Sequence, residues 1–423
     1  MIPKNYIKDD GVLKTIDALK RGEPVIYLAG KAGVGKSTFI HYIKQHTSRK
    51  HVVVAPTGIA ALNIEGQTIH SFFRFAPRII NKMEIKNRDD DLIKNLELII
   101  IDEVSMVRAD VMDAIDYALR KWRKDKRPFG GIQMLMVGDC FQLAPVVTRH
   151  EKEIFNNTFK SPWFFDAEVF KNVDIFPIEL KHIYRQNDKR FIQLLHNIRI
   201  KNDLQNTIDV LNRECDIKQK ESALYLTATN DFANIVNRDM LDELPGEKFI
   251  YNADRIGYIN LIGENLPVPS ELKLKVGARV MVRKNIMGAV NGSLGTVLKC
   301  SKNSVDVELD KGGVIGIAPE TWTTYKYTFD SVADKVQATV LGKYTQIPLA
   351  LGWAVTIHKS QSLTLDSVEI DFGRGCFSHG QCYTALSRCR KIETLKLTEP
   401  LNMRDIIIDD EVIEFHNKMF GDK

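Results

Sequence analysis

The sequence of 423 residues has few cysteines and no long apolar run. Its six cysteines include no Cys-x-x-Cys pair, which is typical of reduced thiols in a cytosol-like compartment. The longest mostly apolar run, Ile347 to Ile357, is far shorter than the roughly 20 residues that a membrane-spanning helix needs. No charged segment followed by an apolar core opens the sequence, so we expect no signal peptide. These features predict a soluble cytoplasmic protein without a membrane partner.

The sequence also lacks a spacing of ligands that suits zinc. Cys376, His379, Cys382 and Cys389 are close together near its carboxyl end, and their residue types are those that zinc prefers. Structural zinc sites pair their ligands at characteristic intervals, and this group does not match those intervals. We therefore predict no zinc site.

Charge of one sign is not in large excess. The 59 Lys and Arg residues are nearly offset by 54 Asp and Glu residues, which leaves a net charge of +5. This balance permits a polyanionic partner but does not require one. An apolar share of 44% is ample for sizeable cores, and the length predicts about three domains.

The best-defined motif is a glycine-rich stretch, GKAGVGKST, that fits the pattern G-x-x-x-x-G-K-[ST]. A β-rich apolar run, 25–29, precedes it and a helix-like segment, 36–47, follows it, as a phosphate-binding loop requires. The alternative, a glycine-rich turn that binds nothing, does not explain both flanks. The residues expected to bind the nucleotide phosphates are Gly30, Ala32, Gly33, Val34, Gly35, Lys36, Ser37 and Thr38.

A pair of carboxylates follows a strand that is expected to be buried on both faces. Residues 96–101 form a near-continuous apolar run that ends at Asp102 and Glu103. A P-loop enzyme needs one carboxylate to hold Mg²⁺ and another group to orient the attacking water. We assign Asp102, with the Ser37 hydroxyl, to Mg²⁺ and Glu103 to the water as general base. Acids at strand ends are often only solvated caps, but here they accompany a P-loop.

Three further polar residues are candidates for the same chemistry. Gln142 follows the strand that ends at Asp139, where an amide can contact the γ-phosphate or the attacking water, although a solvent-facing amide is the alternative. Arg185 and Arg388 lie in the second half of the sequence. An arginine that reaches the nucleotide stabilises charge on the transferred phosphoryl group, whereas an isolated arginine is usually a surface cation.

The pattern of the chain predicts an α/β fold with parallel sheets and a small all-β insert. Short β-rich runs alternate with helical stretches up to about residue 150, and a second α/β pattern begins near residue 223. Alternating strands and glycine turns between about 270 and 345 indicate a small barrel of SH3 type. The predicted domains are 1–175 with a polar insertion at about 72–94, 176–269 together with 346–423, and 270–345.

The motifs, and their order along the chain, resemble those of the superfamily 1B DNA helicases, most closely the PIF-type (petite integration frequency) branch. The resemblance covers nearly the whole chain. The matching segments are motif I at 30–38, motif Ia at 55–61 with 66–73 after it, motif II at 101–106, motif III at 137–143, motif IV at 184–186, motif V at 354–362 and motif VI at 383–388.

This resemblance implies two RecA-like domains, ATP and Mg²⁺ as cofactors, and a motor that moves 5′ to 3′ along single-stranded DNA. It also implies unwinding of tailed duplex DNA, a role in DNA repair, recombination and telomere maintenance, and a monomer. The physiological substrate, whether forks, G-quadruplexes or R-loops, stays open. The implied DNA-contacting residues are Thr57, Gly58, His70, Phe72, Thr356, His358 and Lys359.

Several alternatives remain at this stage. Phe72 and Phe73 either stack on bases or form a buried pair, and the basic run 121–127 is either a DNA-facing patch or an ordinary helix end. The insertion at 72–94 is expected to act as a wedge that separates strands. An NTP-dependent nucleic-acid-binding switch and a P-loop kinase are the rival functions, and the kinase leaves the second α/β pattern without a role.

One departure from the related helicases concerns the base of the nucleotide. Those helicases have a glutamine upstream of motif I that recognises adenine, but this sequence has no glutamine before Gln45. Backbone groups around Ile2 to Asn5 are one substitute, and tolerance of other bases is the alternative.

Overall fold

The computed structural model describes residues 9–76, 78–215, 223–259, 263, 266–361 and 363–421. Apart from the predicted domains, three of the segments considered above include positions outside this set. These positions are Ile2 to Asn5, Pro77 of the insertion and Ser362 of motif V.

Helices and strands alternate through much of the chain. The described helices are α1 (Asp10–Arg21), α2 (Lys36–His46), α3 (Gly58–Asn63), α4 (Ile69–Phe73), α5 (Asp91–Asn95), α6 (Ala109–Arg123), α7 (Arg149–Asn156), α8 (Lys189–Ile200), α9 (Leu204–Glu214), α10 (Asn230–Glu243), α11 (Gln381–Leu386) and α12 (Asp410–Phe420). The described strands are β1 (Val25–Gly30), β2 (His51–Ala55), β3 (Gln67–Thr68), β4 (Leu98–Ile101), β5 (Gln133–Gly138), β6 (Phe176–Leu180), β7 (Leu224–Thr227), β8 (Phe249–Asn252), β9 (Asp254–Gly257), β10 (Glu271–Leu274), β11 (Arg279–Val282), β12 (Leu294–Ser301), β13 (Ser304–Leu309), β14 (Val314–Ile317), β15 (Glu320–Asp330), β16 (Lys335–Gln346), β17 (Leu349–Leu351), β18 (Ala354–Thr356), β19 (Val368–Asp371) and β20 (Leu395–Leu397).

The chain divides into two compact units. The first comprises Met1–Tyr184, Thr323–Leu341 and Asp409–Lys423, and the second comprises Arg185–Trp322 and Gly342–Ile408. Each unit contains a parallel sheet, as described below, and the predicted α/β class is thereby confirmed. The finer division into three domains stays a prediction.

A six-stranded parallel sheet forms the centre of the first unit, in the order β3-β2-β4-β5-β1-β6. Every residue of β1, β4 and β5 is buried. These strands are apolar without alternation because helices and loops cover both faces of a parallel sheet. The core beside the sheet includes Val12, Phe39 and Ile40, which come from α1 and α2.

The second unit combines a parallel sheet with antiparallel ones. Its parallel sheet has the order β18-β7-β19-β20. A five-stranded antiparallel sheet, β14-β13-β12-β11-β17, lies in the region where the sequence predicts an all-β insert. Alternate residues of β13, including Val305 and Val307, are fully buried in the core of this sheet. Val280 of β11 and Val297 of β12 belong to the same core.

A segment far along the chain completes the edge of the first unit's sheet. Strand β3 pairs with only Val54 and Ala55 of β2. The amide of Val53 instead donates to the hydroxyl of Tyr327 at 3.1 Å, and this hydroxyl donates to the Val53 carbonyl at 3.4 Å. Burial raises the pKa of Tyr327 to about 12, so the phenol stays protonated and able to donate. Tyr327, in the segment 323–341 of the first unit, thereby satisfies backbone groups of β2 that lie beyond its short pairing with β3.

Helix α12 belongs to the first unit through an aromatic cluster. Phe415 stacks on Phe165 with a centroid separation of 4.1 Å and an interplanar angle of 9°. It also contacts Phe164 edge-on, and its ring lies 5.6 Å from that of Tyr27 in β1. The buried indole of Trp163 donates to Asp409 just before the helix, at 3.1 Å.

We expect Phe415→Ala to lower the free energy of unfolding of the first unit by about 3 kcal/mol, because it removes a buried ring and leaves a cavity. Urea unfolding followed by tryptophan fluorescence measures this change. Glu414→Ala is the matched control, since the Glu414 side chain is 71% exposed and its ion pair with Lys160 is solvated. Equal unfolding midpoints for the two variants would contradict the packing role of Phe415.

Candidate active site

Three adjacent strands bring three of the predicted motifs to one edge of the first unit's sheet. Strand β5 lies between β1 and β4, and all three are parallel. The glycine-rich loop follows β1, Asp102 and Glu103 follow β4, and Gln142 lies just after β5. Because parallel strands end at a common edge, the loops that carry these residues are neighbours.

The glycine-rich loop has the backbone geometry of a phosphate site. Gly33 and Gly35 have φ angles of +80° and +88°, which side chains with a Cβ rarely adopt. A Cβ on Gly30 would lie 2.6 Å from a methyl group of Val34, so this position also requires glycine. Gly35 precedes α2 without a side chain that caps the helix. The first amides of α2 are therefore suited to bind phosphate oxygens.

The side chains of the loop differ in their contacts and in their exposure to solvent. The ammonium of Lys36 donates to the carbonyls of Gly30 at 2.7 Å and Lys31 at 3.2 Å. Ala32 and Val34 are buried, and Thr38 is half-buried. Ser37, in the first turn of α2, is exposed. Its hydroxyl is therefore accessible to a ligand.

Asp102 is buried at the end of β4, with 4% of its surface exposed. One carboxylate oxygen accepts a hydrogen bond from the Glu103 amide at 2.9 Å. Burial is the main cause that raises the pKa of Asp102 to about 7; the charge of Glu103 adds to it, and the charge of Lys36 opposes it. A nearby divalent cation favours the ionised form of a carboxylate, so Asp102 fits a Mg²⁺ ligand.

Glu103 has a strained backbone, with φ +50° and ψ +45°. A residue other than glycine in this region costs about 1–3 kcal/mol, and such strain is concentrated at functional sites. Glu103 is also largely buried, at 9% exposure. The backbone therefore supports a specific role for this carboxylate, and the assignment as general base stays a prediction.

Gln142 is buried, with 4% exposure, so the interpretation as a solvent-facing amide is wrong. Its side-chain nitrogen donates to Asp139 at 3.3 Å, and the amide of Phe141 donates to the other carboxylate oxygen of Asp139. No role for Asp139 was predicted from the sequence. The signal was present, because this acid directly follows an entirely buried strand, as Asp102 does. Asp139 fixes the position of Gln142.

The two arginines lie in the second unit, where both contact Ser387. Arg185 donates to the Thr364 hydroxyl at 3.0 Å and to the Ser387 carbonyl at 3.1 Å. Arg388 donates to the Thr384 carbonyl at 2.8 Å and to the Ser387 hydroxyl at 2.9 Å. Arg388 is only 1% exposed, so it is not a surface cation.

The candidate DNA contacts in the first unit lie just after β2 and β3. Thr57 caps α3, because its hydroxyl accepts from the Ala60 amide at 3.2 Å, and Gly58 is the first helical residue. His70 lies in α4 and is half-buried. Burial, followed by the charge of Arg108, lowers the pKa of His70, so the imidazole is neutral near pH 7.

The candidate contacts in the second unit follow β18. Thr356, its last residue, is 3% exposed and accepts a hydrogen bond from the Lys359 amide at 3.2 Å. His358 and Lys359 are half-buried. Burial lowers the pKa of His358, which therefore also stays neutral near pH 7.

Phe72 and Phe73 form a buried pair, which is the alternative to base stacking. Their rings meet edge-on at 4.9 Å, and each is at most 3% exposed. The guanidinium of Arg88 lies 5.1 Å from the Phe72 ring and 5.6 Å from the ring of Trp122. Arg88 also donates to the Phe72 carbonyl at 2.8 Å. In this arrangement Arg88 of the insertion lies against both Trp122 of α6 and Phe72.

The basic run at the end of α6 makes bonds within the protein. Lys121 donates to the carbonyl of Ile85 at 2.8 Å, and Arg123 donates to the carbonyl of Ile93 at 2.6 Å. Arg127 forms an ion pair with Asp125. The first two contacts attach the insertion to α6. They give Lys121 and Arg123 a structural role that does not require DNA.

Within the described part of the chain, no group of three or more His, Cys, Asp or Glu side chains could hold a metal ion. Within the same part, no helix is long and apolar enough to cross a membrane.

We expect Phe72→Leu to leave the affinity for single-stranded DNA within about twofold of the unmodified protein, because the ring is packed inside the first unit. Loss of a base-stacking ring would instead weaken binding about fivefold or more. Fluorescence anisotropy with a labelled oligonucleotide measures the affinity. Phe75→Leu is the matched control, since Phe75 stacks on Phe73 in the same cluster and is not a candidate contact. A much weaker affinity for Phe72→Leu alone would restore the stacking role.

Comparisons with known proteins agree with this geometry. A family profile described as "PIF1-like helicase" matches residues 8–210, and one described as "DNA helicase Pif1, 2B domain" matches 257–299. The ATP-dependent DNA helicase PIF1 of Danio rerio is 32% identical over 415 residues, which cover 93% of this chain and 61% of that protein. The chain thus spans about six tenths of the length of this relative.

Solved structures extend the similarity to the fold. Pif1 from Bacteroides sp. in complex with ADP-AlF4 is 34% identical, with a TM-score of 0.89 and coverage of 97% of this chain and 96% of that one. Bacteroides Pif1 bound to single-stranded DNA has a TM-score of 0.69 at the same identity and coverage. The shared motifs, the profiles and these structures lead to one conclusion: the chain belongs to the PIF1-like helicase family.

Proposed function

We propose that this chain is an ATP-dependent DNA helicase that moves 5′ to 3′ along single-stranded DNA and unwinds tailed duplexes. The observation that carries the proposal is the meeting of the P-loop, the Asp102–Glu103 pair and Gln142 at one edge of a buried parallel sheet. Membership of the PIF1-like helicase family supports ATP and DNA as the ligands.

The residues at the sheet edge have distinct parts in ATP hydrolysis. Lys36 neutralises charge on the β- and γ-phosphates, and Glu103 accepts a proton from the attacking water. Gln142, held by Asp139, orients that water or the γ-phosphate. Ser37 and Asp102 are the residues that would hold Mg²⁺, which supplies further neutralisation of phosphate charge when bound.

Arg185 and Arg388 are proposed to stabilise charge on the transferred phosphoryl group. Their contacts with Ser387 support the proposal, because two guanidinium groups held by one short segment are fixed in orientation before the nucleotide arrives. Arg388, which is buried and bonded through two of its nitrogens, is the more tightly held of the pair.

The proposed DNA contacts are Thr57, Gly58, His70, Thr356, His358 and Lys359. Hydroxyls, amides, neutral imidazoles and one ammonium bind backbone phosphates and sugars without reading bases, as a translocating motor requires. Bacteroides Pif1, 34% identical to this chain, has been solved with single-stranded DNA, which supports the same ligand here. Phe72 is omitted because base stacking needs an accessible ring, and its ring packs against Phe73 and Arg88.

The proposal extends to the organisation of the chain. We infer that 1–175, then 176–269 with 346–423, and 270–345 act as the two RecA-like domains and an SH3-like domain. The insertion at 72–94 acts as the wedge, and its packing by Arg88 and Lys121 gives it the rigidity that strand separation needs. The chain acts as a monomer.

A duplex with a 5′ single-stranded tail should be unwound in the presence of ATP and Mg²⁺, whereas one with only a 3′ tail should not. Strand release measured by fluorescence with the two tailed duplexes, matched in sequence, tests the proposal. Lys36→Ala provides the inactive control, because the phosphates lose their cation while the buried strands preserve the fold. Unwinding from the 3′ tail alone would reverse the polarity, and DNA-stimulated hydrolysis without any strand release would indicate a binding switch.

Arg388→Ala should lower DNA-stimulated ATP turnover by about 10³-fold with little change in nucleotide affinity, if its charge acts in the transition state. Steady-state hydrolysis and titration with a fluorescent ATP analogue measure the two effects. Arg388→Lys should also be poorly active, since lysine has the charge but cannot reproduce the planar group that bonds through Nε and Nη2.

Arg390→Ala is the matched control for Arg388→Ala, because the Arg390 side chain is 48% exposed and pairs with Asp366 at 3.3 Å. Its turnover should stay close to that of the unmodified protein. Wild-type turnover in a folded Arg388→Ala protein would remove this arginine from the proposed mechanism.

A further inference from the structure

Arg283, in the second unit, is a partly buried cation at the end of β11. Its amide donates to the Pro348 carbonyl at 2.8 Å, which continues the pairing of β11 with β17 by one residue. The side chain is half-buried, and its Nη1 atom is fully buried. Within the described part of the chain, Nη1 has no hydrogen-bond partner, and no carboxylate forms an ion pair with this guanidinium. The charge of Arg283 is therefore not offset by any described residue.

The neighbouring cations of the same sheet are paired with acids. Arg279, the first residue of β11, donates to the carboxylate of Asp310 through two bonds of 2.6 and 2.5 Å. Lys284, the residue after Arg283, donates to the carboxylate of Glu320 at 2.8 Å. The sheet thus supplies a carboxylate to the cations at 279 and 284. Arg283 is the exception among these three neighbours.

The surroundings of Arg283 oppose its charge. Burial lowers the pKa of Arg283 to about 10, and burial is the only cause of this shift. The guanidinium nevertheless keeps its charge near pH 7. Removal of a charge from water is costly without a counter-ion, and buried charges in proteins are as a rule paired. Departures from this rule are concentrated at functional sites, so a binding site for an anion explains a cation at this position.

The end of β11 is attached to the two segments that flank motif V. Pro348, whose carbonyl accepts the Arg283 amide, precedes motif V by a few residues. The turn between β11 and β12 contains Gly292, whose amide donates to the Val282 carbonyl at 2.8 Å. A Cβ on Gly292 would lie 3.6 Å from the carbonyl oxygen of Thr364, so this turn packs against the chain just after motif V. Arg283 therefore lies in the part of the second unit that contains the proposed DNA contacts after β18.

We propose that Arg283 binds a backbone phosphate of single-stranded DNA, in addition to the contacts proposed for Thr356, His358 and Lys359. The planar guanidinium can donate two parallel hydrogen bonds to a phosphate group. Its attraction to an anion is stronger in partly buried surroundings than in water. A phosphate contact reads no base, like the other proposed contacts. This assignment rests on the proposed function, because single-stranded DNA is the polyanion on which that function acts.

Arg283→Met should weaken the binding of a single-stranded oligothymidylate about tenfold, because it removes one charged hydrogen-bonding contact. The slope of log affinity against log salt concentration should also become shallower by about 0.7, the value for one phosphate of a single strand. Fluorescence anisotropy with the labelled oligothymidylate at several salt concentrations measures both effects. Lys302→Met is the matched control, because it removes an exposed cation from the turn between β12 and β13, at the opposite end of β12. Its affinity should stay within about twofold of that of the unmodified protein.

Two further measurements separate DNA binding from a structural role and from a role in ATP binding. Thermal unfolding without DNA should give Arg283→Met a midpoint no lower than that of the unmodified protein, since the substitution removes an unpaired charge from partly buried surroundings. Titration with a fluorescent ATP analogue should show an unchanged affinity for the nucleotide. Arg283→Gln, which is also neutral, replaces Arg283→Met in every measurement if the methionine variant does not fold.

The outcomes distinguish this assignment from the proposed function. If the unmodified protein binds the oligothymidylate and a folded Arg283→Met protein binds it equally well, the assignment of Arg283 is wrong and the proposed function stands. A lower unfolding midpoint with unchanged DNA affinity would indicate a packing role, and a loss of ATP affinity alone would assign the cation to the nucleotide. Either result overturns the DNA contact. If the unmodified protein binds no single-stranded DNA, the proposed function fails and the contact fails with it.

Discussion

Burial of β4, β5 and β1 on both faces is the constraint on which the candidate site depends. The three strands are adjacent, parallel and entirely buried, so their carboxyl ends are held side by side. The loops that leave this edge contain the polar residues of the site, among them Lys36, Asp102 and Gln142. The hydrophobic effect that fixes the sheet thereby also sets the spacing between Lys36, Asp102 and Gln142.

Several polar side chains at this site and in the second unit are buried together with the neighbours to which they are hydrogen-bonded. Asp139 accepts from both Phe141 and Gln142, and Arg388 donates to Thr384 and Ser387. A buried polar group without a partner costs about 1–3 kcal/mol, whereas a hydrogen-bonded one contributes to stability. These bonds therefore restrict each side chain to one orientation, which is what a site that acts on phosphate charge requires. Burial also has an electrostatic cost: it disfavours the charged form of Asp102 and thereby raises the pKa of this carboxyl group.

Contacts between residues distant in sequence complete the first unit. Tyr327 pairs with the backbone of Val53, and Phe415 stacks on Phe165. No local sequence pattern predicts either contact, because a tyrosine in a strand or a phenylalanine in a helix does not specify the residue that it will contact. These contacts link 323–341 and 409–423 to the rest of this unit, although both segments lie far from it in the sequence.

The sequence by itself determined the P-loop, the parallel α/β class and the acids at the end of β4, because each follows from a local pattern of glycine spacing or continuous burial. It also predicted an all-β region, since alternation over a strand is local. Only the tertiary structure decided that Gln142 is buried against Asp139 and that Phe72 packs against Arg88. These features depend on which surfaces meet after the elements have formed, and a side chain's burial is a property of its neighbours rather than of its own residue type.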